Sequence, residues 1–462
     1  MTALDAIPDA VDRVRGGFRD GVVRTLAARR TQLQQLRRLL VEQEPAISHA
    51  LHTDLGKSAI EAYTTEIGFT IKEIDHTLDH LDAWTKSTRV WIPMYLRPGS
   101  ARIVQEPLGT VLIIAPWNYP LQLLLAPLVP ALAAGNTAML KPSEVAPATA
   151  AMVAELLPRY LDERAVQVVT GGVPETTALL EQRFDHVFYT GNGTVGKIVM
   201  RAAAEHLTPV TLELGGKSPA IVTASADIEV SARRIAWGKF VNAGQTCVAP
   251  DYVLVDERVA DQLVAGLRSA IHEFYGDDPS TSPDYGRIVN QRHHARLMAL
   301  VEAGGYDDIA IGGNGEPDTR YLAPTVLTGV KPDAKVMDDE IFGPILPILT
   351  YQGIDEAIGF VNERPKPLAL YVFSGRDATA DKVIDRTSAG GVTVNHTLLH
   401  LAVADLPFGG VGASGMGAYH GEAGFRIFSH AKPVLKRISK PDPKIAYPPY
   451  TSFKQKLMRK LL

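Results

Sequence analysis

The chain carries one cysteine, Cys247, in 462 residues, so this thiol has no partner for an intrachain disulfide. Free cysteine is among the most buried residue types and alone reads as a small apolar core residue. Only its surroundings can make it the nucleophile that a thiolate is suited to be. A second candidate is the run Gly191-Asn192-Gly193-Thr194-Val195-Gly196, which follows an apolar stretch and opens a helical one. Glycines so placed let backbone approach a phosphate at a helix N-terminus, as dinucleotide sites require. They could equally serve a tight turn, because such a fingerprint belongs after the first strand of its unit and this one follows the fourth. The acid that takes a ribose hydroxyl has two candidate positions. Glu213 stands 22 positions after Gly191 (213 − 191), whereas strand order points to Lys141 and Glu144; the residues leave both open. His293 and His294 lie on a polar helical stretch, with no HExxH or paired CxxC in the chain. They read as surface residues, and no metal is expected.

These groups need a scaffold that gathers strand ends. The first hundred residues read mainly as helix, with apolar residues at helical spacing from Val22 to Leu40. Ser87 to Val104 holds two extended runs around Pro98-Gly99-Ser100, a hairpin pattern. From Gly109 strands alternate with helices: Val111–Ala115, Thr137–Leu140, Ala165–Val169, His186–Tyr189 and Pro209–Leu214. Five such strands imply a doubly wound parallel sheet, since each crossover helix covers a face. After Gly215 the alternation restarts, with strands expected near Ala220, Tyr252, Ala323, Leu346 and Tyr371, a second α/β unit. The tail after Lys432 is rich in Lys and Pro, and no third core is expected there.

Apolar residues make up 46% of the chain and charged ones 21%, with a net charge of −4, which provides no electrostatic reason to expect nucleic acid as a partner. The N-terminus lacks the apolar core of a signal peptide. The longest greasy run, Leu123 to Ala134, is short and broken by Pro127 and Pro130, so it is not a membrane span. A cytoplasmic protein without a membrane anchor is expected. Phe453 to Leu462 mixes Lys454, Lys456, Arg459 and Lys460 with apolar residues, and reads as a solvated or subunit-packing helix in preference to a membrane-surface one.

An ordered set of motifs spans residues 50 to 430. It comprises Glu106-Pro-Leu-Gly to Pro116-Trp117-Asn118-Tyr119-Pro120, Lys141-Pro-Ser-Glu144, Thr190-Gly191-Asn192, Leu212-Glu213-Leu214-Gly215-Gly216-Lys217-Ser218-Pro219, Asn242-Ala-Gly-Gln-Thr246-Cys247, Glu340-Ile341-Phe342-Gly343-Pro344 and Pro407-Phe408-Gly409-Gly410. In this order they resemble the aldehyde dehydrogenase superfamily. Ala249-Pro250-Asp251-Tyr252, the Ser414 to Gly421 stretch and Tyr447-Pro-Pro-Tyr450 resemble its class 3 branch, the fatty and aromatic aldehyde dehydrogenases.

The resemblance implies two doubly wound α/β domains: a Rossmann-like NAD(P)-binding domain over 1–86 and 105–212, and a catalytic domain over 213–395. Segments 87–104 and 396–462 would serve oligomerisation, as a homodimer. It implies oxidation of a small-molecule aldehyde to an acid, with Cys247 as nucleophile, Asn118 as oxyanion donor and Glu213 as the base that activates water. Lys141 and Glu144 would hold the adenosine ribose, Asn192 and Gly196 would lie at the pyrophosphate, and Glu340, with Phe342 against the ring, would place the nicotinamide end; Trp117, Gly191 and Leu214 are further cofactor-binding positions. NAD is the implied cofactor, since Glu144 should repel a 2′-phosphate; class 3 relatives accept NADP as well. Lys217 and Ser218 could instead cap a helix, and Phe408 could be core or tunnel wall. One rival is a CoA-acylating semialdehyde dehydrogenase, which Glu213 argues against. Another is a silent binding protein, which the joint presence of Cys247, Asn118 and Glu213 argues against.

Overall fold

Apolar spacing of three and four residues folds the N-terminal segment into a helical layer. Helix Ile7–Asp20 buries Ile7, Val11 and Val14 on one face. Helix Leu26–Glu42 buries Leu33, Leu36, Leu39 and Leu40, and starts where Thr25 Oγ1 accepts from the Ala28 N–H at 3.1 Å. Helices Glu44–Leu55 and Gly68–Thr85 complete the layer. The structure is a computed structural model and describes residues 1–442 and 444–461.

Strands β1 (Thr88–Val90) and β2 (Gly99–Pro107) pair antiparallel, as the hairpin pattern predicts, but Pro98-Gly99-Ser100 is not their turn. Gly99 and Ser100 already belong to β2, and a short helical turn, Met94–Leu96, lies within the connection. The parallel strands β3 (Thr110–Ile114), β4 (Thr137–Lys141), β5 (Val166–Val168), β6 (His186–Gly191) and β7 (Val210–Leu214) follow with the expected crossover helices. Between β3 and β4 runs helix Gln122–Ala134, every residue of which is buried despite Pro127 and Pro130. The long apolar run is thus a core helix, closed by Gly135 at φ 96°.

The second unit contains β8 (Pro219–Val222), β9 (Tyr252–Asp256), β10 (Asp308–Ile311), a two-residue ribbon β11 and β12 (Gly315–Glu316 and Tyr321–Leu322), β13 (Thr325–Thr328), β14 (Ile345–Tyr351), β15 (Ala369–Phe373) and β16 (Gly391–Val394). Last come β17 (Gly415–Met416) and β18 (Ser429–Arg437). One sheet has the order β17-β7-β6-β3-β4-β5, and a second β10-β13-β14-β9-β8-β15-β16. The expected α/β class with two doubly wound sheets is what the chain adopts. Strands β10 and β16 went unanticipated because they are edge strands without a continuous buried apolar run.

The C-terminal segment holds a strand that its Lys and Pro content hides. β18 pairs with β2 over nine residues, Ser429↔Pro107 to Arg437↔Gly99, making the three-stranded sheet β1-β2-β18. β17 adds antiparallel to β7, with Gly415 opposite Glu213, so this late segment closes the edge of the first sheet. Among the described residues no helix is long and apolar enough to cross a membrane.

His294 is not a surface residue, and His293 is half-buried. Helix Gln291–Glu302 buries His294, Leu297 and Val301, three and four positions apart, and His294 Nε2 lies 2.8 Å from the Tyr321 carbonyl. The polar residues between them hid this face.

Helix Gly68–Thr85 is tied to the C-terminal segment by Glu73, whose Oε1 accepts from the Gly421 N–H at 2.9 Å. Burial pushes this carboxyl up to about 7. The folded chain therefore binds a proton that the unfolded chain has already lost, and the associated stability disappears as pH rises from about 4.5 to about 7. Glu73→Gln should flatten this part of the stability profile, a difference of roughly 3 kcal/mol at most. Denaturant midpoints of both proteins between pH 5 and 8 check it; parallel profiles would contradict the buried carboxyl.

Candidate active site

Only residues 215–218 separate β7 from β8, so the carboxyl end of the first sheet adjoins the amino end of the second. In the first sheet β3 lies between β4 and β6, the switch point at which a parallel sheet opens a crevice beyond its strand ends. The segments leaving β3 (through Trp117 and Asn118), β4 (Lys141 to Glu144), β6 (Gly191, Asn192) and β7 (Glu213, Leu214) meet there. The second sheet brings its amino-end loops: Lys217 and Ser218 before β8, Cys247 and Asp251 before β9, and Glu340 and Phe342 before β14.

Cys247 follows helix Ile228–Phe240 through a tight left-handed turn. Asn242 (φ 54°), Ala243 (φ 50°) and Gly244 (φ 73°) are consecutive left-handed residues, and a Cβ at Gly244 would run into the Gly343 backbone. Non-glycine residues there cost about 1–3 kcal/mol each unless the surroundings hold them. Here they are held. Asn242 Nδ2 donates to the carbonyls of Asn118 (2.8 Å) and Gln245 (3.1 Å). Gln245, fully buried, donates through Nε2 to the carbonyls of Asn242 and Arg287, each at 3.0 Å, and accepts from the Val289 N–H at 2.9 Å.

Asn118 is fixed from below by a wholly buried ion pair. Lys57 Nζ stands 2.5 Å from Glu66 Oε1, with neither side chain exposed, and also donates to the Asn118 carbonyl at 3.2 Å. Glu66 Oε2 accepts from the N–H groups of Leu121 (2.9 Å) and Gln122 (3.2 Å). These extra bonds offset the desolvation that a buried pair incurs. The Asn118 side-chain amide donates to the Gln245 carbonyl at 3.0 Å, placing it against the cysteine loop. Two tyrosines grip that loop on either side of Cys247. Tyr119 OH lies 2.6 Å from Thr246 Oγ1, and Tyr371 OH on β15 donates to the Val248 carbonyl at 2.5 Å.

Glu213, opposite Thr190 of β6, is 3% exposed, and neither carboxylate oxygen has a hydrogen-bond partner among the described residues. Burial raises its pKa well above the ordinary carboxylate value. Burial, then the charges of Glu340 and Glu213, push the Cys247 thiol up as well. Cysteine and the two carboxylates therefore share one electrostatic neighbourhood. Such a set can attack a carbonyl carbon and take a proton from water.

Around it lies a groove with the features of a dinucleotide site. Asn192 caps helix Gly193–Ala204, its Oδ1 accepting from the Val195 N–H at 3.0 Å. A Cβ at Gly193 would meet nothing, and one at Gly196 would stand 3.1 Å from Leu214 Cδ2, so this turn is open to a ligand and tight against β7. Lys141 is buried at the end of β4, 3.4 Å from Glu144 Oε2, and burial lowers its pKa. Between helices Val173–Leu180 and Gly193–Ala204 lies a groove of about 310 Å³ lined by Thr177, Leu180, Ile198 and Ala202. On the other side Phe342 (φ 51°) meets Trp117 edge to face, ring centroids 5.2 Å apart, and half-buried His293 packs on Trp117 at 4.9 Å. The Glu340 carboxylate lies against Gly215 and is pushed up to about 8 by burial and by Asp251.

Lys217 and Ser218 cap no helix: Lys217 pairs with Asp251, and Ser218 Oγ accepts from the Ala369 N–H at 3.3 Å. Phe408 is buried among Tyr419, His400 and His420. Sequence reasoning missed Lys57, Glu66 and Tyr371 as residues of the site's framework. They carry no local signal, because each acts on a loop distant in the chain.

Residues 4–434 match the model of the Aldehyde dehydrogenase family. The chain is 51% identical to Mus musculus Aldehyde dehydrogenase family 3 member A2 over 444 residues, 96% of this chain and 91% of the relative. Identity to the Staphylococcus aureus 4,4'-diaponeurosporen-aldehyde dehydrogenase is 49%, covering 94% of each chain. A Rattus norvegicus relative named Aldehyde dehydrogenase, dimeric NADP-preferring is 48% identical over 96% of this chain and 98% of its own. The solved substrate-bound state of Staphylococcus aureus AldH superposes with a TM-score of 0.96 at 47% identity, covering 100% of this chain and 99% of the other. A half-buried cysteine and a buried glutamate at the seam of two α/β sheets, and sequence kinship along nearly the whole chain, lead to one conclusion: the chain belongs to the aldehyde dehydrogenase family and is an aldehyde-oxidising enzyme.

Proposed function

We propose that the chain oxidises an aldehyde to a carboxylic acid through a covalent thioester on Cys247, with NAD as cofactor and NADP as an accepted alternative. The observation that carries this is the buried Glu213 carboxylate, without a hydrogen-bond partner among the described residues and near enough for its charge to act on the only cysteine, apart from Lys141 and Glu144 at the end of β4. The Cys247 thiolate attacks the aldehyde carbon. The oxyanion so formed is met by the Asn118 side-chain amide and the Cys247 N–H, where each such donor lowers the barrier by about 3–4 kcal/mol. When bound, a nicotinamide dinucleotide would supply the two-electron acceptor for the hydride that leaves the tetrahedral carbon as its C=O re-forms, which leaves the thioester on Cys247. Glu213 then takes a proton from water as it attacks the thioester, the C–S bond breaks, and Cys247 leaves as thiolate. The raised pKa of Glu213 gives its carboxylate a stronger pull on a water proton than an ordinary carboxylate has.

The residues present fit the dinucleotide. Lys141 and Glu144 would hold the adenosine ribose, the groove beside Leu180 and Ile198 the adenine, and the open turn at Gly191, Asn192 and Gly196 the pyrophosphate. Glu340 and Phe342, with Trp117 and Leu214, would bound the nicotinamide end. The half-exposed Glu144 carboxylate disfavours a 2′-phosphate. The name of the rat relative makes NADP the second cofactor to assay.

In this reading residues 1–86 and 105–212 form the cofactor domain, 213–395 the catalytic domain, and 87–104 with 396–462 the assembly segments of a homodimer. Support for the last comes from the sheet β1-β2-β18, which leaves Trp91 and Met94 each 72% exposed and Leu435 53% exposed.

Glu213→Gln should still form the thioester and then stall. Rapid mixing should show a burst of about one NADH per site before a much slower steady state, and Cys247→Ala should give no NADH. Normal turnover of Glu213→Gln with a strongly raised NAD dissociation constant would make Glu213 a ribose ligand instead.

Because burial and neighbouring carboxylates hold the thiol above its ordinary range, alkylation of Cys247 by iodoacetamide without cofactor should keep accelerating through pH 9. A plateau below pH 8 would mean that another group acidifies it. Light scattering at micromolar concentration should give the mass of a dimer; a monomer mass would leave the exposed sheet without this role.

A further inference from the structure

Glu340 and Phe342 sit on a loop, residues 336–342, whose local ties, such as Lys335 Nζ to Asp338 Oδ2 at 2.8 Å, reach only its first half. The anchors around Glu340 and Phe342 come from elsewhere in the chain. The Lys217 ammonium spends all three protons on it and its partner: Val336 carbonyl at 3.0 Å, Asp339 carbonyl at 2.9 Å and Asp251 Oδ2 at 2.5 Å. Asp251 then accepts the Ile341 N–H through its other oxygen at 2.9 Å. Arg296 takes the Ile341 carbonyl at 2.7 Å, so the peptide between Glu340 and Phe342 is pinned on one side and the following one on the other. The pair is itself fixed, since the Asp251 N–H donates to the Ser218 carbonyl at 2.7 Å, next to Lys217. The Lys217 side chain is 11% exposed and that of Asp251 4%, so water competes little for these bonds. The same chain segment that ends β7 with Glu213 also lies against the Glu340 carboxylate, at Gly215.

We propose that Lys217 and Asp251 are positioning residues that hold the 336–342 loop, and through it Glu340 and Phe342, in the geometry that hydride transfer needs. Neither belongs to the attacking, oxyanion or adenosine-binding groups. The inference rests on the reading that Glu340 and Phe342 bound the nicotinamide end. Small displacements there matter, because transfer requires the reacting atoms in near contact, and a misplacement of about 1 Å can cost 10²-fold in rate.

The test compares Lys217→Met and Asp251→Asn with Glu340→Gln and the wild type. Single-turnover NADH formation is followed at saturating NAD and a benzylic aldehyde, with competent sites counted by stoichiometric alkylation of Cys247. A merely destabilised preparation loses amplitude, whereas a displaced loop lowers the rate constant per site. Lys217→Met should be slower by roughly tenfold per site, and Asp251→Asn, which keeps the shape and an acceptor for Ile341, by less. In the protein without cofactor, peptides spanning 335–343 should exchange amide hydrogen faster in both variants. Affinity for ADP-ribose, which lacks the nicotinamide, should stay within about twofold. Should Lys217→Met fail to fold, Asp251→Asn decides by the same measurements. Unchanged rate constants per site, or unchanged exchange over 335–343, would overturn the proposal. If Glu340→Gln alone ran at the wild-type rate, the reading of the nicotinamide end would fall, and the exchange result would still decide whether the pair braces the loop.

Discussion

The constraint on which the rest depends is the four-residue link Gly215 to Ser218. It forces the carboxyl end of one parallel sheet against the amino end of another. Loops from both then converge on one small volume, too crowded for side chains at Gly215, where a Cβ would strike the Glu340 carboxylate. Glu213 stands immediately before this link and Lys217 within it, so one short stretch of backbone serves both sides of the seam.

Convergence at the seam buries charge, and the structure manages it in two different ways. Away from the centre of the seam the two bracing lysines, Lys57 and Lys217, are fully engaged. Lys57 meets Glu66, the Asn118 carbonyl and the face of Tyr119, 3.9 Å from its centroid. Lys217 meets Asp251 and two carbonyls. At the centre the opposite holds, and Glu213 is left with neither oxygen satisfied. A satisfied carboxylate would be a poor base, whereas one kept dry and unpartnered gains most from taking a proton. The braced ions keep the loops rigid enough for the unbraced one to be tolerated.

The left-handed turn Asn242-Ala243-Gly244 follows the same logic. Its strain is held by Asn242 and Gln245, whose amides are spent on neighbouring backbone, and by tyrosines from β15 and from the segment after β3. Residues from both sheets thus fix the Cys247 loop.

Much of this architecture was legible in the chain. Buried parallel strands such as Val111–Ala115 read as apolar runs because both faces are covered, and crossover helices read by their period. Ordered motifs named the family and nominated Cys247, Glu213, Asn118 and Glu340, since such residue types at fixed places in the order are not produced by packing alone. Edge strands β10 and β16 were not legible, because a strand with one neighbour and a wet face needs no apolar run. β18 hid behind its lysines because its ladder is made by backbone, which any sequence can supply. His294 was misread for a related reason: its burial depends on what packs against the helix, not on its immediate neighbours. The braces Lys57–Glu66 and Lys217–Asp251 were beyond reading altogether. An ion pair across 34 positions, or a lysine holding a carbonyl 61 positions away, exists only once the sheets have brought those loops together. Sequence by itself determined which groups could react and which buried strands and crossover helices would form; tertiary structure alone decided the edge strands and which charges are satisfied, because burial and partners are properties of space rather than of order along the chain.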